Sequence, residues 1–254
     1  NYSKDNTKKL VQSYKNEYIN FFRIKNYGVI AKSRNFGILK SKGKFIAFLD
    51  SDDIWTDEKL YECNKIIKIN PDVKLIYHNM NIKKSSEKIY SKKVEYFRAL
   101  SKPIKNDLII NGPAFPTSSV VVDKKIFKKI NCFNENKEFI AWEDFDAWIR
   151  LASKTSNFQE INKILGYLIN DETSTNNARR QIKNIYTFKN LYLKKMELDF
   201  TEWCNYSLMR SFLKIGKFNK SIFFLKKLKY KIFDTPKNIK IIIFFILNIF
   251  RIRY

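Results

Sequence analysis

Apolar and polar positions form two different patterns in the first two thirds of the chain. Apolar residues recur every three or four positions in four segments, which predicts amphipathic helices at residues 4–18, 29–42, 57–69 and 144–154. Short apolar runs predict strands at residues 19–24, 45–49, 75–80, 118–122 and 164–169. The run from Phe45 to Leu49 is continuous, as expected of a strand buried on both faces. Residues 81–116 look irregular. The alternation predicts an α/β fold with a mostly parallel, Rossmann-like sheet flanked by helices.

From about residue 176 the pattern becomes helical, basic and rich in aromatic residues. We therefore predict an α/β domain over residues 1–175 and a basic helical region over residues 176–254. The stretch Ile241 to Phe250 is apolar apart from Asn248, and basic residues flank it. It is too short to span a bilayer as a helix, but it suits a helix lying at a membrane surface. The alternative is a helix packed on the rest of the protein or on a partner chain.

Composition narrows the classes of partner. The 254 residues include 49 Lys and Arg against 25 Asp and Glu, a net charge of +24, which attracts polyanions such as nucleic acid, lipid headgroups or phosphorylated substrates. The basic residues are spread along the whole chain and no recognition motif is present, so a nucleic-acid-binding protein is the weaker reading. The three cysteines form no Cys-x-x-Cys pair, which argues against a zinc or disulfide framework and favours a cytoplasmic setting.

The most informative local feature is a cluster of acids directly after the apolar run at residues 45–49. Asp50, Asp52 and Asp53 occupy three of four positions, and ligands of open α/β sheets bind at the carboxyl ends of strands. Asp50 and Asp52 lie two apart and point to the same side of an extended segment. A divalent cation would relieve their repulsion, and oxygen ligands suit Mg²⁺ or Mn²⁺ carrying a diphosphate. The alternative is a solvated turn before a helix capped by Asp57.

A second acidic motif spans Trp142 to Ala152 and reads WEDFDAWIRLA. Glu143 and Asp144 stand at the start of a predicted helix. Taken alone, they are expected merely to complement the helix dipole, with the apolar residues that follow in the core. A carboxylate within hydrogen-bond reach of a hydroxyl can instead remove its proton as a general base.

Taken in order, these segments resemble the family 2 glycosyltransferases of the GT-A fold. Leu49 to Trp55 resembles the family's Asp-x-Asp segment, and Asn26 to Ile38 is similar to its N-x-G-x-x-x-x-x-R-N-x-G-I stretch. Lys42 to Ile46 resembles the lead into the metal-binding strand, and Trp142 to Ala152 resembles the motif that carries the catalytic base. The resemblance runs from residue 1 to about residue 175.

The resemblance implies an inverting transfer of a sugar from a nucleotide-sugar donor, most simply a UDP-sugar, to a saccharide or lipid-linked glycan. Such enzymes build bacterial surface polysaccharides such as lipopolysaccharide or capsule at the inner face of the cell membrane. It assigns the catalytic base to Asp144 and a Mn²⁺ or Mg²⁺ ion to Asp50 and Asp52. Donor contacts are expected from Asp5, Arg34, Asp50 and Asp52. Acceptor contacts are expected from Thr117, Ser118, Trp142 and Glu143.

The sequence also departs from the family pattern. The family begins with a strand–helix–strand unit that would precede residue 1, so we expect a chain truncated at its N-terminus and, by itself, unstable or inactive. A catalytically inactive fragment that only binds is therefore the rival reading. Where the family has an Arg and a His near the end of the domain, this chain has Leu168 and Asn170. Asn170 or Asp171 would have to supply the third protein ligand to the metal.

Overall fold

A computed structural model describes residues 5–83, 95–96, 98–169 and 177–228. The helices in these ranges are α1 (Thr7–Ser13), α2 (Ile30–Lys40), α3 (Lys59–Ile69), α4 (Ile104–Asn111), α5 (Lys124–Lys129), α6 (Glu143–Ala152), α7 (Ala178–Phe188), α8 (Glu202–Lys214) and α9 (Phe218–Leu225). The strands are β1 (Phe45–Ala47), β2 (Ile54–Trp55), β3 (Leu75–Lys83), β4 (Glu95–Tyr96), β5 (Val121–Asp123) and β6 (Phe158–Ile169). A 3₁₀ turn at Thr117–Ser119 precedes β5.

The strands form one mixed sheet in the order β1-β5-β3-β6-β2, with β4 paired to β3. The predicted α/β architecture is confirmed, but the expectation of a mostly parallel sheet is wrong for the described residues. Only β3 and β6 pair in parallel there, and the remaining pairs are antiparallel. The reason is that β1, β3 and β6 share one direction, as helical connections require, whereas the short strands β5 and β2 run the opposite way beside them.

The helices predicted at residues 29–42, 57–69 and 144–154 are confirmed within a few residues. The strand predicted at residues 19–24 is wrong, because that segment has no regular structure and leaves Ile19 and Phe22 about half exposed. Helix α4 falls in the region predicted to be irregular. Strand β1 is covered on one face only: Ile46 and Phe48 are buried, whereas Leu49 is 47% exposed. Among the described residues, β1 has a hydrogen-bonded neighbour only in β5, which explains the open face.

The main hydrophobic core runs from the sheet into the C-terminal helices. Near the sheet, Phe48, Phe127, Phe133 and Trp148 pack with ring centroids 5.1–6.3 Å apart. The same buried cluster includes side chains from α7, α8 and α9, among them Ile185, Leu208 and Phe224. Burying this apolar surface is the main favourable term in folding. The helices after residue 176 are thus packed on the sheet rather than held apart from it.

The boundary between residues 175 and 176 stays a prediction, since its flanking residues 170–176 lie outside the described ranges. The predicted surface helix at Ile241 to Phe250 and the candidate metal ligands Asn170 and Asp171 also lie outside them. Within the described ranges, every helix is too short or too polar to cross a lipid bilayer.

A single glycine sets the spacing of β2 and β6, and with it the position of the acid cluster. A Cβ at Gly166 would lie 2.8 Å from the Ile54 carbonyl oxygen and 2.9 Å from Cε of Met80. The close approach lets Asp53, at the end of the acid loop (defined here as residues 50–53), accept a hydrogen bond from the Ile169 amide at 3.2 Å. The loop is therefore docked against the carboxyl end of β6.

We expect Gly166→Ala to lower the free energy of unfolding by about 1–3 kcal/mol, because the methyl group collides with backbone that cannot move freely. The measurement is urea denaturation followed by circular dichroism. Gly37→Ala is the matched control, since Gly37 lies within α2 and a Cβ there meets nothing within 4 Å. That control should be neutral or stabilising by up to about 1 kcal/mol. Equal stabilities for the two variants would contradict the steric argument.

Candidate active site

One cavity of about 930 Å³ opens at the carboxyl ends of β1, β3 and β6. The acid loop and Arg34 form one wall, and the start of α6 forms another. Helices α7 and α8 close the far side. Asp52 and Asp144, which the sequence separates widely, line this same cavity. Of the predicted site residues, those lining it are Arg34, Asp50, Asp52, Thr117, Trp142, Glu143 and Asp144.

Arg34 joins the two acidic motifs. Its guanidinium donates to both carboxylate oxygens of Asp50, at 2.6 and 2.7 Å, and to Oε1 of Glu143 at 2.7 Å. The next residue, Asn35, fixes the helix that carries it: its side-chain amide exchanges two hydrogen bonds, of 2.9 and 3.0 Å, with the backbone of Phe133. Hydrogen bonds between a guanidinium and carboxylates, as Arg34 makes, are shorter and stronger than neutral ones. Arg34 is thus held between the acid loop and α6 in this structure.

The carboxylates around Arg34 alter one another's protonation. Burial opposes the charge on Arg34, yet the nearby carboxylates of Asp50, Asp144 and Glu143 leave its pKa raised. Burial and the adjacent Asp144 raise the pKa of Glu143, although Arg34 acts in the opposite direction. Burial also raises the pKa of Asp53, and its acidic neighbours in the loop add to the effect. Among the described lining residues, five carboxyl groups face two arginines, so acidic groups are in excess.

Asp144 is held by both of its carboxylate oxygens. Oδ2 accepts a hydrogen bond from the Thr117 hydroxyl at 2.7 Å, and Oδ1 accepts one from the Phe145 amide at 2.7 Å. The side chain is half-buried and lines the cavity. A carboxylate with remaining lone pairs in this position is able to accept a proton from a bound hydroxyl group. Thr117 is buried beside it and orients it.

Ser118 does not have the acceptor-binding position that the sequence predicted. Its side chain is fully buried and lies outside the cavity lining. The hydroxyl oxygen accepts the Asp50 backbone N–H at 3.0 Å, and the carbonyl oxygen accepts the indole N–H of Trp55 at 2.7 Å. The prediction is wrong because the turn at Thr117–Ser119 directs Ser118 inward beneath the acid loop. Ser118 supports the loop from below.

Trp142 serves chiefly in packing. Its ring lies 5.6–5.8 Å from the rings of Phe145, Phe188 and Trp203, and its indole N–H donates to the side-chain oxygen of Gln181 at 3.2 Å. Trp142 also lines the cavity. The acceptor contact expected of this residue stays a prediction.

Asp5 lies apart from the other predicted donor contacts. It is exposed and outside the cavity lining, and its carboxylate accepts hydrogen bonds from the Thr7 amide and hydroxyl at 3.0 and 2.5 Å. Those bonds lower the pKa of Asp5. In this structure Asp5 satisfies donors at the start of α1, and the structure does not bring it to the cavity.

The carboxylates of the acid loop decide whether a divalent cation fits this cavity. Asp52 is exposed at the cavity, and Asp50 beside it is engaged by Arg34. Within the described ranges, no three His, Cys, Asp or Glu side chains converge as a complete metal cage. A Mg²⁺-type site needs only one or two carboxylates, with substrate phosphates completing the shell. Burial is the main cause of the raised pKa of Asp53, and the neighbouring charges of Asp52 and Asp50 add to it. A cation would relieve the repulsion among these carboxylates, so the residues fit the group.

The residues that form the far wall of the cavity were not predicted from the sequence. Amide side chains on one face of α7 and its cap, together with aromatic residues of α8, line it: Asn177, Gln181, Asn184, Trp203 and Tyr206. The amide residues are spaced by four and then three positions, which places them on one helical face. That spacing is the sequence signal that could have identified the wall. Arg180 lies on the same wall. Amides and aromatic rings are the groups that proteins offer to sugars and other polar ligands.

The chain resembles known proteins in both sequence and structure. A family model described as glycosyltransferase like family 2 matches residues 1–215. An uncharacterized glycosyltransferase of Rickettsia typhi, RT0329, is 24% identical over 202 residues, covering 76% of this chain and 60% of the relative. The Escherichia coli enzyme WfgD, a UDP-Glc:alpha-D-GlcNAc-diphosphoundecaprenol beta-1,3-glucosyltransferase, is 30% identical over 160 residues, covering 63% and 58%. The chain thus spans about 60% of the length of such relatives.

Among solved structures, S. aureus TarS 1-349 aligns with a TM-score of 0.56 at 17% identity, over 90% of this chain and 64% of that one. The same protein in complex with UDP aligns with a TM-score of 0.53 at 18% identity. At this identity the likeness establishes the fold, and it confirms the GT-A assignment made from the sequence.

The buried Glu143 predicts how stability depends on pH. Its pKa is raised when folded, whereas an unfolded glutamate titrates near 4.5. Between these two values the folded protein binds more protons than the unfolded one, so the free energy of unfolding falls as the pH rises. Glu143→Gln should flatten that decline by about 1.4 kcal/mol for each unit by which the pKa is raised.

Urea denaturation at pH steps from about 4 to about 8 measures this slope. Loss of the ion pair with Arg34 changes the level of the curve, so the slope is the informative quantity. Glu17→Gln, at an exposed position, is the matched control and should keep the wild-type slope. Parallel curves for wild type and Glu143→Gln would show that Glu143 is not the titrating group.

Proposed function

The chain belongs to the glycosyltransferase-like family 2, and we propose that it transfers a sugar from a nucleotide-sugar donor to a hydroxyl of a saccharide or lipid-linked acceptor, with inversion at the anomeric carbon. One observation carries the proposal: the acid loop with Arg34 and the oriented carboxylate of Asp144 line the same cavity. Donor and acceptor must meet within one enclosed space for such a transfer.

Asp144 is the general base in this proposal. An alcohol is a poor nucleophile near neutral pH, and a carboxylate within hydrogen-bond reach removes its proton as the new bond forms. The Thr117 hydroxyl and the Phe145 amide fix the carboxylate and leave lone pairs for the acceptor. Attack from the side of Asp144, opposite the leaving diphosphate, inverts the anomeric centre.

The acid loop and Arg34 form the donor end. Asp52, with Asp50 beside it, would hold Mn²⁺ or Mg²⁺, which supplies positive charge to the leaving diphosphate. Arg34 keeps the two acidic motifs together through Asp50 and Glu143. A UDP-sugar is the first donor to test, because the glucosyltransferase WfgD uses UDP-Glc and TarS was solved with UDP.

The wall formed by α7 and α8 is the acceptor end. Gln181, Asn184 and Tyr206 offer hydrogen-bonding groups, and the ring of Trp203 offers an apolar face. WfgD acts on a diphosphoundecaprenol-linked acceptor. We therefore propose a lipid-linked glycan as acceptor, at the cytoplasmic face of the membrane, in the synthesis of a bacterial surface polysaccharide such as lipopolysaccharide or capsule.

The decisive assay measures UDP or GDP release from a panel of nucleotide sugars, with Mn²⁺ or Mg²⁺ and lipid-diphosphate-linked or free saccharide acceptors. We expect Asp144→Asn to lower kcat by about 10²–10⁴-fold, because the amide cannot accept the proton. Asp72→Asn is the matched control: Asp72 is exposed in the loop before β3, at the opposite end of the sheet, and should leave kcat unchanged. No release from any donor, or an Asp144→Asn variant as active as wild type, would leave a binding-only protein as the better reading.

The metal assignment predicts a separate effect at Asp52. Asp52→Asn should raise the Mn²⁺ concentration for half-maximal activity by about tenfold or more, because one anionic oxygen ligand is replaced by a neutral amide. Titration of Mn²⁺ in the presence of UDP, read by calorimetry, checks the same change without turnover. Unchanged Mn²⁺ dependence in both measurements would remove Asp52 from the metal site.

A further inference from the structure

Lys59, the first residue of α3, has a side chain that is wholly withdrawn from solvent. Its Nζ donates a hydrogen bond to the Ser118 carbonyl oxygen at 2.8 Å and lies 3.6 Å from the ring centroid of Trp55. Burial lowers the pKa of Lys59 to about 7. Lysine is among the residues least often buried without a partner. Burial of the Lys59 amine carries a desolvation cost, so the contacts of this amine should reveal its role.

In the part of the chain that the structure describes, no group of opposite charge lies against Lys59. The ionisable groups that interact with it are Cys63 on its own helix and His78 on β3. Burial raises the pKa of Cys63 to about 11 and lowers that of His78 to about 4, so both are uncharged near neutral pH. Among the described residues, the polar contacts of the amine are therefore the Ser118 carbonyl and the face of Trp55.

Ser118 ties together the two ends of the acid loop. Its carbonyl oxygen accepts from Lys59 and from the indole of Trp55, both of which follow the loop. Its hydroxyl oxygen accepts the backbone N–H of Asp50, where the loop begins. Because a carbonyl oxygen has two lone pairs, Lys59 and Trp55 together saturate it at this buried position. Any movement of Ser118 would therefore move the loop.

The same turn also reaches the second acidic motif. Thr117, joined to Ser118 by one peptide bond, donates its hydroxyl hydrogen to Oδ2 of Asp144 at 2.7 Å. The 3₁₀ turn at Thr117–Ser119 holds the two residues together, with the Ser119 amide donating to the Pro116 carbonyl oxygen and the Val120 amide to the Thr117 carbonyl oxygen, so a displacement of Ser118 is expected to move Thr117 as well. Ser118 alone separates Lys59 from the Asp50 backbone, and Ser118 with Thr117 separates it from Asp144, while Lys59 itself is outside the cavity lining.

We propose that Lys59 is a positioning residue for the transfer reaction: by anchoring the Ser118 carbonyl it sets the geometry of the acid loop and of Asp144 together. The inference rests on the proposed glycosyl transfer for its kinetic consequence, but not for its structural one. The side chain contacts no substrate and acts through the Thr117–Ser118 turn.

The test is Lys59→Met, which keeps much of the side-chain length and removes the donor. We expect kcat to fall by about 100-fold, as for a misplacement of the order of 1 Å, with the donor KM within about threefold of wild type. Hydrogen exchange should accelerate in residues 48–56 and 116–120 and stay unchanged in α5 and α6. Lys68→Met is the matched control, because Lys68 is exposed on the same helix and should leave rates and exchange as in wild type.

The exchange measurement needs no substrate, so it separates this inference from the proposed function. A wild-type protein that releases no nucleotide from any donor defeats the proposed function, while the exchange pattern still decides the role of Lys59. Unchanged exchange in residues 48–56, or acceleration spread evenly over the protein, overturns the positioning role. If Lys59→Met does not fold, Lys59→Gln shortens the side chain and replaces the ammonium by an amide, which weakens the same contact to the Ser118 carbonyl oxygen. Wild-type exchange at the Asp50 amide in that variant would equally overturn the positioning role.

Discussion

The whole site depends on one side chain, Arg34, whose ion pairs with Asp50 and Glu143 bridge the acid loop and α6. Five carboxylates line the cavity in the described ranges, and such a concentration of like charge would drive the acid loop away from α6. Arg34 opposes that repulsion with three hydrogen bonds of 2.6–2.7 Å from a side chain only 13% exposed. Removal of one partner from a buried pair usually costs more than the pair contributes, because the other charge is left desolvated. The acid loop and the start of α6 are thus coupled through one guanidinium, which contacts Glu143 across a separation of 109 residues in the sequence.

The neighbouring residues make sense as supports of that bridge. Asn35 clamps α2 to the backbone of Phe133, which fixes the helix from which Arg34 projects. Gly166 brings β2 against β6, so that Asp53 reaches the Ile169 amide and the acid loop is docked at its far end. Each contact restricts one end of a loop whose carboxylates would otherwise separate. Preorganisation of charged groups is how enzymes stabilise charge that develops during reaction.

Local features of the sequence predicted most of this arrangement. The acid loop directly follows an apolar strand, and the second acidic motif stands at a helix start, so each motif is recognisable from a few consecutive residues. The two motifs line one cavity, as expected. The errors share a different cause. The inward direction of Ser118, the antiparallel insertion of β5 and the absence of a strand at residues 19–24 are decided by neighbours that are distant in sequence. The wall formed by α7 and α8 could not be predicted for the same reason. Its amide side chains reach the cavity only because the core packs those helices against the sheet.

The charge balance of the cavity finally constrains how a donor can enter. Two guanidinium groups, of Arg34 and Arg180, face five carboxylates among the described lining residues. A nucleotide diphosphate adds further negative charge to a space that already has an excess, and Arg34 is occupied by Asp50 and Glu143. Without added positive charge, entry of the diphosphate would be opposed at short range, where partial burial weakens screening by salt. The acid loop therefore makes sense as a donor site only if binding of the diphosphate is coupled to binding of a divalent cation beside Asp52, or if Arg34 releases Asp50 to meet it.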